Sequence, residues 1–205
     1  MAQDQNLVAE RLSLFTLTFN TTWNFCYFNM FLRYALTSLS YQWLALVAFT
    51  YFLITFVFEL RLLLVCWKQQ NIAIFQQGDI AVRRALVIFY IKFYVIAILG
   101  FIFIDTIIYS KPLLLCLNLP IWVPQIYKNF MKRSRNTPRI QFALGLTITQ
   151  AFLPLYIRTF SSNILEVEPS YIFSGIFFGF HALQIFILYL QKIKGSRFFI
   201  PKKYR

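Results

Sequence analysis

Apolar residues along this chain come in blocks about as long as a bilayer is thick, and the polar text between them sets the element boundaries. The first block, Leu12 to Leu32, is uncharged but carries Asn20, Asn24 and Asn29 beside Trp23. The second, Gln42 to Phe58, continues through Glu59 and Arg61 into LLLVCW and stops at KQQN. Ala85 to Ile104 encloses Lys92. Thr106 to Phe130 follows with only Asp105, Ser110, Lys111 and Pro112 as breaks, which predicts a tight hairpin with Asp105 in its outer turn. Ile140 to Phe160 holds Pro154 in its interior and Arg158 near its end, and Tyr171 to Leu190 holds Gly175, Gly179 and His181. Lipid-exposed barrel strands are about 10 residues long with alternating polarity; these blocks are longer and do not alternate. The pattern therefore predicts an all-α, polytopic integral membrane protein with six transmembrane helices. Residues 1–11 form a short N-terminus, 12–191 the six-helix membrane domain and 192–205 a basic tail.

Composition agrees: 59% of the 205 residues are hydrophobic and 13% charged, against about 25% charged in an average soluble domain. A net charge of +13 taken alone suits nucleic acid, but with apolar blocks between the charges Lys and Arg count by membrane side. Lys68, Arg83 and Arg84 lie between blocks two and three. Lys128, Lys132, Arg133, Arg135 and Arg139 lie between four and five, and Lys192, Lys194, Arg197, Lys202, Lys203 and Arg205 in the tail. The alternate connections have Arg33 alone, Lys111 alone, and Glu166 and Glu168 with no base. Both termini are thus expected in the cytosol, with Lys128, Lys132, Arg133, Arg135, Arg139, Lys202 and Lys203 forming a basic rim against anionic lipid headgroups. The opening MAQDQNLVAE does not read as a cleaved signal peptide.

Five polar residues fall within or beside the apolar blocks: Glu59, Arg61, Lys92, Arg158 and His181. Ionised groups in hydrocarbon are costly unless they pair, snorkel or face water. Lys92, about two turns from Arg84, either snorkels or lines a polar cleft with Glu59. Arg158 snorkels past Ser161. The short Glu59 is expected to bridge to Arg61 or a neighbouring base. His181 reads as an interhelical hydrogen bonder, with a proton sensor as the alternative. Gly175 and Gly179, four apart, open one helix face to close approach. Cys26, Cys66 and Cys116 read as packing residues. Three scattered Cys and one His make no zinc site, so neither metal nor cofactor is expected. The scattered acidic residues point to no catalytic residue.

FELRLLLVCWKQQ (58–70), RRALVIFYIKFY (83–94), the text from Ile121 to Ile157, ILEVEP (164–169) and GSRFFIPKKYR (195–205) carry a resemblance. They resemble the multi-span region of the transmembrane RING ubiquitin ligases of the Golgi and endosomes, which include a yeast Golgi quality-control ligase and plant seed-coat mucilage ligases. The most specific residues are Trp122, Pro124 and Gln125, then Pro154 and Tyr156, and finally Gly195, Arg197 and Pro201, with Glu168 and Pro169 in the same motif set. The resemblance implies a lumenal domain and a further span before this region and a RING after it. None of the eight RING zinc ligands is here, so the chain alone is expected not to transfer ubiquitin. It also implies a membrane-embedded client-recognition or scaffolding module for protein quality control at the Golgi or endosomal membrane. Implied partners are membrane subunits of a ligase complex, including a rhomboid-like pseudoprotease and a ubiquitin-like-domain protein, and transmembrane clients; no nucleic acid is implied.

Two alternatives stand beside this. One is a structural subunit of another membrane complex. The other is a small-solute transporter whose Pro124-Gln125 pair bends a gating helix, although the pair occurs once and no internal repeat accompanies it. The six-span topology is tested by single cysteines: at Arg135 and Lys203 they are expected to react with an impermeant reagent from the cytosolic side, and at Glu166 only from the other. Reaction of Arg135→Cys and Glu166→Cys from one side defeats the topology.

Overall fold

The computed structural model describes residues 11–37, 39–108, 118–133, 137–164 and 168–198. All regular structure among them is helical: α1 (Leu14–Thr37), a 3₁₀ turn (Leu39–Tyr41), α2 (Leu44–Gln70), α3 (Ile72–Phe75), α4 (Asp79–Ile108), α5 (Val123–Met131), α6 (Ile140–Thr159) and α7 (Tyr171–Lys194). Three of these, α2, α6 and α7, are long and apolar enough to cross a membrane, with stretches of mean hydropathy 1.9, 1.5 and 1.8. A helix suits that setting because it satisfies its own backbone where no water can. The chain divides into two compact units, Met1–Glu10 with Leu17–Ser110, and Arg11–Thr16 with Lys111–Arg205.

In the first unit α1 and α2 run antiparallel through paired rings, Phe25 with Phe56 at 5.9 Å, Phe28 with Phe52 at 5.6 Å and Phe31 with Tyr51 at 5.6 Å. Bulky rings on both helices bury large areas and fix the register. Midway, α2 opens into a π-helical segment, Ile54–Glu59. Such wide turns rotate the residues that follow relative to an unbroken α-helix and are frequent at functional sites. Further along, Trp67 packs on Phe75 and Phe89 at 5.8 and 5.1 Å, joining α2, α3 and α4. Gly78 at φ 103° makes the turn into α4, a conformation that other residues resist.

In the second unit α6 and α7 form a hairpin. Buried positions on α7 are Phe177, His181, Gln184, Leu188 and Gln191, and on α6 they include Ala143, Thr147, Gln150, Pro154 and Ile157. Both sets step by four, three, four, three, the spacing that keeps one narrow helix face against a partner. The Ser170 hydroxyl accepts from the Phe173 N–H to cap α7, and the Ser170 N–H donates to the Arg158 carbonyl at 2.8 Å. At the other end Gly195, at φ 97°, stops α7 after Lys192 and Lys194.

The two faces of α7 are reversed relative to a soluble helix. His181, Gln184 and Gln191 are buried while Ile172 is 79% and Phe186 55% exposed. A contiguous apolar exterior is what lipid solvates and water does not. The fourth apolar block departs from expectation, since among the described residues the chain turns at 118–122 and α5 begins at Val123 with Pro124 in its first turn. Asp105 lies inside α4 rather than in a turn.

Leu183 is 51% exposed, so on a water-facing helix Leu183→Arg would change stability little. On a lipid-facing helix the same change costs about 3 kcal/mol. Leu183→Arg is therefore expected to lower insertion sharply, measured as the fraction of chain resisting alkaline carbonate extraction, and undiminished insertion would contradict the lipid-facing assignment.

Candidate functional site

Proline sets the plan of the second unit. Pro154 lies buried within α6, and having no N–H it leaves the carbonyl four residues earlier, that of Gln150, without its helical donor. Asn118 supplies one: its Nδ2 donates to the Gln150 carbonyl at 2.8 Å and reaches the Gln150 Oε1 at 3.3 Å. In the turns before α5, backbone groups also lack helical partners, because the chain is not yet helical there and a first turn leaves its N–H groups unmet. Gln184 from α7 takes two of them, its Oε1 accepting from the Trp122 N–H at 2.9 Å and its Nε2 donating to the Leu119 carbonyl at 2.6 Å.

Two turns along α7, Gln191 repeats the arrangement, accepting from Asn129 Nδ2 at 3.0 Å and donating to the Ile126 carbonyl at 3.2 Å. Both glutamines meet partners at the same sequence offsets, so α5 runs parallel to α7 in a fixed register. Trp122 is fully buried and its indole N–H donates to Thr147 Oγ1 at 2.7 Å, which ties the junction to α6. Gln125 closes the other side. Its Oε1 accepts from the Ser13 N–H at 2.5 Å, and its Nε2 donates to the Arg11 carbonyl at 2.8 Å and to Asn129 Oδ1 at 3.0 Å.

The remaining expected residues fall around this core. Tyr156 lies between the rings of Phe152 and Phe160, at 6.5 and 5.4 Å. Arg158 donates to the Glu168 carbonyl at 3.2 Å and lies over the Phe173 ring at 5.3 Å. Glu168 and Pro169 are exposed. Arg197 donates to the Phe130 carbonyl at 3.4 Å and covers its ring at 5.0 Å. Of the basic rim, Lys128 is drawn inward, its Nζ donating to the Leu12 carbonyl at 2.6 Å, while Lys132, Arg133 and Arg139 are exposed. Arg135, Pro201, Lys202 and Lys203 lie outside the described residues. Pro124 does not bend the middle of a span, because it starts a nine-residue helix, and the gating-helix reading loses its geometry.

His181 is not the interhelical bonder expected of it. Its Nδ1 is 3.0 Å from the Phe177 carbonyl of its own helix, its ring packs on Phe177 at 4.4 Å, and its Nε2 is buried without a partner. Beside it an apolar cavity of about 800 Å³ runs along α6 and α7.

In the first unit Glu59 does not bridge to Arg61, which is exposed. Its Oε1 instead accepts from Asn20 Nδ2 and from Asn24 Nδ2, the latter at 2.6 Å. Asn20 and Asn24, one turn apart, share a face of α1 and so reach one carboxylate; that four-residue spacing was the available signal. Glu59 Oε2, Asn20 Oδ1 and Thr55 Oγ1 are buried without a partner. Lys92 is exposed on α4 and takes no part in this cluster. Among the described residues no three His, Cys, Asp or Glu side chains gather to hold a metal.

Residues 1–204 match the family described as transmembrane E3 ligase/DUF2921 transmembrane domain. The transmembrane E3 ubiquitin-protein ligases FLY2 and FLY1 of Arabidopsis thaliana are each 34% identical over 160 residues, 78% of this chain and 28% of theirs. Subunit 1 of the DSC E3 ubiquitin ligase complex of Schizosaccharomyces pombe is 30% identical over 104 residues, 51% of this chain and 14% of its own. The matched stretch is thus less than a third of the length of the plant relatives. No solved structure matches.

The pairing of Asn118 with the carbonyl that Pro154 frees gives a double-mutant test. Asn118→Leu is expected to cost about 1–3 kcal/mol by orphaning that carbonyl. In a Pro154→Ala background the new N–H takes the carbonyl, and the same change is expected to cost about 1 kcal/mol less. Unfolding of the detergent-solubilised chain measures both, and equal costs in the two backgrounds refute the pairing.

Proposed function

This chain belongs to the transmembrane E3 ligase/DUF2921 transmembrane-domain family, and from that premise we propose that it is a membrane-embedded client-recognition and scaffolding module of a ubiquitin-ligase complex. The observation that carries the reading is the reversed polarity of the second unit, where amides and a histidine are held inside an apolar exterior. In hydrocarbon a side chain with an unmet hydrogen bond on a neighbouring span gains roughly 1 kcal/mol by finding a partner. The unpartnered polar atoms at Glu59, Thr55 and His181 are buried, so a client side chain meets them by entering between this chain's helices, while the amide seam keeps those helices in register.

On this reading the chain spans the membrane six times with both termini cytosolic, works at the Golgi or endosomal membrane, and assembles with other membrane subunits. The DSC relative is itself a ligase-complex subunit by name, which supports that assembly. Ubiquitin transfer belongs to the complex, with this chain selecting and positioning membrane proteins for it.

Purified gently from its native membrane, the chain is expected to bring with it the components of a ubiquitin ligase, and its removal is expected to lengthen the lifetime of membrane proteins that co-purify. Recovery of a respiratory or biosynthetic complex with no ubiquitin-ligase component defeats the proposal.

A further inference from the structure

We propose that the cavity along α6 and α7 is a docking groove for one transmembrane helix of another protein, and that His181 accepts a hydrogen bond from a side chain near that helix's midpoint. This deepens the client-recognition reading and rests on it. The groove's lining extends from Ile140 to Phe160 on one side and from Phe178 to Tyr189 on the other. At 1.5 Å per residue the α6 side is about 30 Å long, the thickness of the hydrocarbon core. Its walls are apolar, including Leu144, Ile148, Phe152 and Phe186, so they take the side chains of a spanning helix without a desolvation cost.

Thr147, Tyr156, Thr159, His181 and Tyr189 are the polar residues in this wall, and of these His181 carries a buried ring nitrogen without a partner. It lines the groove with only 2% of its surface exposed and Nε2 itself covered, so a donor on the docked helix reaches that nitrogen by displacing the side chains over it. A carbonyl only accepts, so the bond to Phe177 places the hydrogen on Nδ1 and leaves the unpartnered Nε2 as an acceptor. The fitting partner is therefore a donor such as Asn, Gln, Ser or Thr. His181 lies ten residues beyond Tyr171, about 15 Å into the span. Lipid headgroups and sterol hydroxyls stay at the interface, so a lipid that fills the groove leaves Nε2 unmet, whereas a spanning helix carries a side chain at that depth. Beside the groove, Gly175 and Gly179 are exposed, with nothing within 4 Å of where a Cβ would lie, so a second backbone has room to approach α7 closely.

The test uses the full chain in phosphatidylcholine nanodiscs and labelled single-span leucine peptides, with association read by energy transfer. A peptide with Asn at its centre is expected to bind about threefold more tightly than an all-leucine one or one with Asn a turn from its end. His181→Phe is expected to remove that preference and His181→Gln to retain much of it, with both variants unfolding at the wild-type temperature. Equal binding of all three peptides overturns the site, as does a preference that survives His181→Phe. Competition by a sterol that depends on His181 also overturns it, by showing a lipid site instead. Native purification tests the functional reading and these peptides test the groove, so either can fail alone.

Discussion

A backbone carbonyl or N–H without a partner in hydrocarbon costs more than most single contacts contribute, and the second unit is arranged around meeting that cost. Pro154 creates one vacancy by freeing the Gln150 carbonyl, and the turns ahead of α5 leave the Trp122 N–H and the Leu119 carbonyl without helical partners. Asn118 and Gln184 fill them. Because an amide carries both a donor and an acceptor, Gln184 closes two vacancies and locks α7 to the turns before α5. The helix breaks are thereby converted into specific joints, and the apolar faces are left to lipid.

The helices were legible from sequence because length and hydropathy decide them. The first block appears as Leu14–Thr37, the third within Asp79–Ile108, and the fifth and sixth nearly as read. The break in the fourth was missed because its apolar text dominated. Pro120 and Pro124, four apart with Asn118 just ahead, were the signal that a continuous helix would lose successive donors.

The site was less legible for a physical reason. Attention to intramembrane polarity follows charge, because charge is the most costly, and so Lys92 and Arg61 stood out, yet both are exposed. The structural work is carried by amides, which have no net charge to count. Asn118, Trp122, Gln125 and Asn129 step by four, three and four, and Gln184 and Gln191 by seven; this periodicity within apolar text marks a polar seam. Glu59 shows the same lesson from the other side, since its partners on α1 are Asn20 and Asn24 and no cation. Trp122 is buried at the centre of a joint.

The parallel register of α5 and α7 has an electrostatic consequence. Asn129 meets Gln191 and Arg197 meets Phe130, so the carboxyl ends of the two helices arrive side by side. Each helix carries roughly half a negative charge at that end; in the parallel pair these add, and the amino end of α6, which the hairpin brings to the same end, offsets one of them. Lys128, Lys132, Lys192, Lys194 and Arg197 are gathered at the same end. Part of the chain's positive charge is thus a counterweight to its own aligned peptide dipoles, and the field presented to the headgroups there is weaker than a count of lysines and arginines suggests.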